Sequence, residues 1–138
     1  MKSKHIFIIE DEKNLLKSIK FILLANDYDV STAFNGKEGL DDIINHVNSG
    51  KKIDLIITDI VMPGMNGLDV IRELRNNGID IPTIVITAHS NIDNVKEIFQ
   101  SGCFLIIDKP FDKKILLDSI NDFFESDNTE VPHNIMCF

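Results

Sequence analysis

Four short apolar runs in this chain each lead into residues that can do chemistry. His5–Ile9 runs into Glu10-Asp11 and Ile53–Thr58 into Asp59; Thr83–Thr87 ends on a hydroxyl ahead of Ala88-His89, and Phe104–Ile107 runs into Asp108-Lys109-Pro110. In an open parallel sheet, ligand chemistry sits beyond the carboxyl ends of the strands. If these runs are such strands, the carboxylates of Glu10, Asp11 and Asp59, the Thr87 hydroxyl and the Lys109 ammonium converge on one rim. Like charges gathered that closely are costly unless a cation neutralises them, and an all-oxygen donor set suits Mg²⁺. A carboxylate beside such an ion can attack phosphorus and become an aspartyl phosphate. A hydroxyl and an ammonium are the groups that would hold the incoming phosphoryl oxygens. Each residue has a plainer reading alone: Glu10 and Asp11 as solvated helix caps, Thr87 as a strand end, Lys109 as a surface lysine. Together they favour the functional reading, because a structural rim has no need of three clustered carboxylates.

The elements that must position these groups follow from hydrophobic periodicity. Asp29–Ala33 adds a fifth β-rich run. Ile53–Thr58, Ile84–Ile86 and Leu105–Ile107 are apolar without alternation, as expected of strands covered on both faces. Leu15, Leu16, Ile19, Ile22 and Leu23 make one helical stripe, with Lys17 and Lys20 opposite. Further helices are expected over Lys37–Val47, Leu68–Asn76, Ile92–Gln100 and Lys113–Glu125, the last capped by Asp112 after Pro110. In that last helix Leu116, Ile120, Phe123 and Phe124 face the core, and Leu117 falls outside the stripe. Asn35-Gly36, Asn66-Gly67 and Asn77-Gly78 mark breaks. The order is (βα)₅, which right-handed crossovers fold into a parallel, doubly wound α/β sheet.

Glu10-Asp11, the run Asp59-Ile60-Val61-Met62-Pro63-Gly64-Met65-Asn66-Gly67, Thr87-Ala88 and Lys109-Pro110 occur in that order, each at a strand end. Together they resemble the receiver domain of two-component response regulators. The resemblance covers residues 5 to about 125. It implies a flavodoxin-like five-stranded sheet of order 2-1-3-4-5, with residues 1–125 as the receiver and 126–138 as a polar tail or the start of a linker. It also implies that Asp59 accepts a phosphoryl group, that Asp11 ligates Mg²⁺ directly with Glu10 assisting through water, and that the backbone carbonyl of Val61 is a further ligand. By the same resemblance Thr87 hydrogen-bonds the phosphoryl group and Lys109 pairs with it, next to a cis Lys109–Pro110 peptide. The implied donor is a sensor histidine kinase or a histidine phosphotransfer protein. The chain would promote its own phosphorylation and dephosphorylation rather than act as an enzyme on a separate substrate.

Two positions depart from the family pattern. Three residues before the lysine the family usually carries Tyr or Phe, whose ring turns inward as the threonine shifts toward the phosphate. Here that half of the switch with Thr87 is Ile106, and the nearest aromatic, Phe104, is a step away on the same side of the sheet. Val61, two past the acceptor, has no polar group to position an attacking water, so slow loss of phosphate is expected. A modest apolar excess on the fourth helix, fifth strand and fifth helix, Ile106 included, marks a face for a downstream protein target or for a homodimer.

Whole-chain numbers bound the rest. The 138 residues are one ordinary domain's worth, and 43% hydrophobic with 26% charged residues is globular composition. Fourteen Lys+Arg against 22 Asp+Glu give a net charge of −8, which disfavours direct nucleic-acid binding. Cys103 and Cys137 have no metal-ligand spacing and make no disulfide framework. Ile6–Ile9 is too short for a signal segment, and no run reaches the roughly 18 apolar residues of a membrane span. A cytoplasmic location without membrane attachment is therefore expected. His5, His46, His89 and His133 read as surface or packing residues, His89 lying nearest the site. A Mg²⁺-dependent phosphohydrolase working through an aspartyl phosphate would need an acid two past its nucleophile, where Val61 stands, and room for a cap domain. An unphosphorylated binding module would have lost the acidic pair or the acceptor, and this chain keeps both.

Overall fold

The computed structural model describes residues 3–88, 96–98, 100, 102 and 105–125. Along these residues run five strands, β1 (His5–Ile9), β2 (Asp29–Ala33), β3 (Leu55–Asp59), β4 (Thr83–Thr87) and β5 (Leu105–Asp108). Four helices accompany them, α1 (Lys13–Ala25), α2 (Gly36–Asn48), α3 (Gly67–Asn76) and α4 (Lys113–Glu125), and residues 96–98 and 100 are helical as well. Every strand pair is parallel and the sheet order is β2-β1-β3-β4-β5. That is the doubly wound, flavodoxin-like arrangement expected from the alternation of elements. Most of the helix expected over Ile92–Gln100, and Phe104, His89, His133, Cys103, Cys137 and the tail 126–138, lie outside the described residues.

The boundaries shift where pairing and capping override composition. β3 includes Asp59 and β5 includes Asp108, because the ladder continues through Asp59↔Ile86 and Thr87↔Asp108. α2 and α3 start on Gly36 and Gly67, residues expected to be breaks, because the asparagine ahead of each is an effective cap. Asn35 Oδ1 accepts from Glu38 N at 2.8 Å, and Asn66 forms a reciprocal capping box with Asp69. Asp112 caps α4 as expected, its Oδ1 accepting from Ile115 N at 2.8 Å.

Strand alternation sends each sheet face to its own helices. Ile6, Ile8, Leu55, Ile57, Ile84, Ile86 and Ile107 pack on Leu16, Ile19 and Leu23 of α1 and on Leu116, Ile120 and Phe123 of α4. Phe7, Ile9 and Ile56 pack on Leu40 and Ile43 of α2 and on Val70 and Leu74 of α3. Each such side chain fully withdrawn from water contributes about 1.5–3 kcal/mol. Leu117 is partly buried against the first of these cores, so the apolar stripe of α4 is wider than its period implied. Ile115 is the large apolar residue of α4 left exposed. Among the described residues no helix is long and apolar enough to cross a membrane.

α2 begins hard against the loop between β3 and α3. A Cβ on Gly36 would lie 2.3 Å from the carbonyl oxygen of Met65, backbone that cannot swing aside like a side-chain end. Gly36→Ala is therefore expected to cost about 1–3 kcal/mol, read as a lower urea midpoint, and an unchanged midpoint would contradict the close approach.

The amino end of the sheet carries a partly buried histidine. His5 Nε2 lies 2.7 Å from Ser31 Oγ, and its ring meets that of His46 edge-on at 5.7 Å. Burial pulls the His5 imidazole below its ordinary value, with His46 and Lys51 acting the same way and Asp29 and Asp54 opposing. Below the ordinary value near 6.5, the unfolded chain thus binds more protons at His5 than the folded one. This contribution to stability is present above about pH 6.5 and is lost as pH falls toward the lowered folded value. Between about pH 7.5 and pH 5.5, wild type is expected to lose more stability in urea titrations than His5→Gln; equal losses would refute the shift.

Candidate functional site

β1 and β3 are neighbours at the centre of the sheet, so Glu10, which follows β1, and Asp59, which ends β3, emerge side by side. Glu10 is 1% exposed and Asp59 6%, which sets aside the reading of Glu10 as a solvated helix cap. The cap position of α1 is Glu12, without a side-chain capping bond. Its N–H instead donates to Glu10 Oε2 at 3.1 Å and turns the chain toward the rim. Asp11 stays exposed, yet one carboxylate oxygen from each of Glu10, Asp11 and Asp59 falls within 4.8 Å of the others.

Lys109, just past β5, reaches this group as well. Its backbone N–H donates to Thr87 O at 2.9 Å, and the Lys109–Pro110 peptide is cis, as the resemblance implied. Its Nζ lies 2.7 Å from Asp59 Oδ2 and 3.2 Å from Glu10 Oε1. The other oxygen of Asp59, Oδ1, accepts from Val61 N at 3.3 Å. Both oxygens of the central carboxylate are thereby oriented.

The electrostatics follow from burial. Burial lifts the Glu10 carboxyl to about 7 and the neighbouring Asp59 adds to the rise, while the Glu12 N–H and the Lys109 ammonium work against it. Burial also works against the Lys109 ammonium, but the hydrogen bonds and charges of Asp59 and Glu10 outweigh it and hold that group above the ordinary lysine value. Three carboxyl groups around one ammonium leave the rim short of positive charge, and the donors are all oxygen. Such a set fits a hard divalent cation.

Thr87 ends β4, fully buried, and lines a cleft of about 290 Å³ together with Ile60, Val61, Asn66, Leu68, Glu97 and Ile98. Val61, two residues past Asp59, is 59% exposed and apolar. Ile106 is not among the residues of that cleft. It packs partly buried on Leu68, Ile71, Val85 and Ile98, a small cluster behind the rim. The structure thus brings together Glu10, Asp11, Asp59 and Lys109, places Thr87 and Val61 along the adjoining cleft, and sets Ile106 apart from both.

Two contributors escaped the reading of the sequence. Gly67 marks a break there, but here it also lets α3 abut Asp59, since a Cβ on it would lie 2.2 Å from Asp59 O. Thr58, the residue before Asp59, is fully buried and donates from Oγ1 to Asp59 O at 2.9 Å. The only signal for it was a hydroxyl at the end of an otherwise apolar run.

Comparison with known proteins bears on this geometry. The profile of the response regulator receiver domain matches residues 6–121. The chain is 34% identical over 124 residues to the transcriptional regulatory protein GlrR of Escherichia coli (strain K12), covering 90% of this chain but only 27% of that protein. It thus spans about a quarter of the length of that relative. Among solved structures, a response regulator receiver domain protein from Clostridium thermocellum superposes with a TM-score of 0.76 at 34% identity, covering 86% of this chain and 92% of that one. A CheY-like receiver domain protein from Methanospirillum hungatei JF-1 gives a TM-score of 0.79 at 27% identity, covering 88% and 93%. The sheet order, the acidic cluster at its carboxyl end and the match across residues 6–121 converge: the chain belongs to the response regulator receiver domain family of two-component systems.

Proposed function

We propose that this receiver is a phosphorylation-dependent switch. Asp59 takes a phosphoryl group from the phosphohistidine of a sensor histidine kinase or a histidine phosphotransfer protein, in a Mg²⁺-dependent reaction. The observation that supports this best is the gathering of the Glu10, Asp11 and Asp59 carboxylates within 4.8 Å of one another, with the Lys109 ammonium 2.7 Å from Asp59. Glu10, Asp11, Asp59 and the backbone carbonyl of Val61 are the groups that would hold the ion. Bound there, Mg²⁺ supplies charge neutralisation and Lewis acidity toward phosphoryl oxygens.

The chain's own residues perform the rest. A carboxylate oxygen of Asp59 forms the new O–P bond as the P–N bond of the donor breaks, and the imidazole nitrogen keeps the bonding pair. Asp59 Oδ1 stays oriented by the Val61 N–H. The Lys109 ammonium, now paired with Oδ2, is placed to meet the negative oxygens of the group that arrives there. The Thr87 hydroxyl is the second donor to that group. The added charge of about −1.5 to −2 draws Thr87 toward the rim, and Ile106, with Leu68, Ile71, Val85 and Ile98, is the packing through which the shift travels.

We assign residues 1–125 to the receiver and 126–138 to a polar tail or the start of a linker. The chain acts in the cytoplasm, as a phosphoacceptor that promotes its own phosphorylation and dephosphorylation rather than as an enzyme on a separate substrate. We assign its output to contact with a downstream protein, or with a second copy, through the surface of β5, α4 and the helical residues 96–98 and 100. GlrR is named a transcriptional regulatory protein; for the segment in hand, a net charge of −8 disfavours direct contact with DNA. The phosphohydrolase reading is disfavoured by the apolar side chain of Val61, which offers no proton to a leaving group.

Incubation with Mg²⁺ and acetyl phosphate is expected to add one hydroxylamine-labile phosphoryl group by intact mass, and none in Asp59→Asn or with a chelator present. Absence of the adduct from wild type, or its persistence in Asp59→Asn, would sink the reading. Val61→Asn gives the attacking water a hydrogen-bond partner, so decay of the phosphorylated form should quicken by about fivefold, the worth of one hydrogen bond. An unchanged lifetime would show that Val61 does not set it.

A further inference from the structure

β3 reads Leu55-Ile56-Ile57-Thr58-Asp59, and Thr58 is the one hydroxyl in it. It is fully buried, and the residues beside it in register, Ile9 on β1 and Val85 on β4, present only apolar side chains. A hydroxyl so placed is unfavourable unless it is bonded. Its bond goes to the carbonyl oxygen of the next residue, Asp59, at 2.9 Å.

That carbonyl belongs to a short stretch of backbone held at three successive points. Thr58 Oγ1 donates to Asp59 O, Gly67 N donates to Ile60 O at 3.0 Å, and Val61 N donates to Asp59 Oδ1 at 3.3 Å. α3 also crowds the same carbonyl, so closely that a Cβ on Gly67 would lie 2.2 Å from it. The Asp59–Ile60 peptide is therefore held by a hydroxyl and closely approached by the first turn of a helix. The Val61 amide that bonds the Asp59 carboxylate lies one peptide further along this held stretch, and the Val61 carbonyl follows it.

We propose that Thr58 is a positioning residue, whose hydroxyl holds the Asp59–Ile60 peptide so that the Asp59 carboxylate and the Val61 carbonyl face the same cation site. The proposal rests on the reading of Asp59 as the acceptor and adds to it a residue that touches neither metal nor phosphate. Thr58→Val keeps the shape and β preference of the side chain and removes only the hydroxyl. Thr58→Ser keeps the hydroxyl and removes a methyl group.

Two measurements on the same three proteins decide it. In metal-free protein, amide hydrogen exchange at Val61 should be about fivefold faster in Thr58→Val, the loss expected for one hydrogen bond, and near wild type in Thr58→Ser. In titrations with Mg²⁺ alone, the dissociation constant should rise about fivefold in Thr58→Val and return toward wild type in Thr58→Ser. Unchanged exchange in Thr58→Val overturns the proposal. So does faster exchange with unchanged Mg²⁺ affinity, or a serine variant that behaves like the valine one. Wild type that binds no Mg²⁺ and takes no phosphoryl group would instead overturn the acceptor reading, with exchange at Val61 still deciding whether the hydroxyl holds the peptide.

Discussion

Glu10 and Asp59 leave neighbouring strands, both withdrawn from water, with Asp11 alongside. Carboxyl groups so placed stand together only if positive charge or hydrogen-bond donors reach them. Much of the surrounding architecture supplies those partners. β5 delivers the Lys109 ammonium from beyond β4, and the first turn leading into α1 supplies the Glu12 N–H. The turn after β3 brings the Val61 N–H back onto Asp59. Each partner comes from a segment just past a strand's carboxyl end, where a parallel sheet leaves its connecting loops free to vary while the strands stay fixed in the core.

The two faces of the sheet divide that work. Alternation along β3 points Leu55, Ile57 and Asp59 to the side of α1 and α4, and Ile56 and Thr58 to the side of α2 and α3. Asp59 thus meets Lys109 on one face while its backbone is steadied from the other by Thr58 and by the start of α3. The residues that present the carboxylate and those that steady it belong to opposite layers. A substitution in the second layer can reach the site without touching it.

Much of this was legible in the residues themselves. The (βα)₅ order and the rim residues could be read because strand-end position and residue type are local properties: Glu10, Asp59, Thr87 and Lys109 each close an apolar run. Contacts that depend on how elements meet were not legible. Asn66-Gly67 signals a turn in any fold, and only the approach of α3 to β3 reveals that the glycine makes room for Asp59 O. Likewise a single Thr in an Ile-rich strand is ordinary composition until its neighbours in register prove apolar and its hydroxyl is seen on the Asp59 carbonyl. Leu117 was misjudged for a similar reason, since a 3.6-residue period defines a stripe but not how widely the sheet covers it. Ile106 shows the converse: its departure from the family's aromatic was plain in the sequence, while its place behind the rim needed the packing of Leu68, Ile71, Val85 and Ile98.

The ion pair between Lys109 and Glu10 joins positions 99 residues apart. A contact that long closes almost the whole receiver into one loop, and it can form only after the edge strand β5 has docked on β4. During synthesis the acidic pair and Asp59 are made early and Lys109 late, so the carboxylates wait without their ammonium until the last strand arrives. An incomplete chain therefore presents the Asp59 carboxylate without the ammonium that pairs with it. Completion of the fold and assembly of the carboxylate–ammonium rim become the same event.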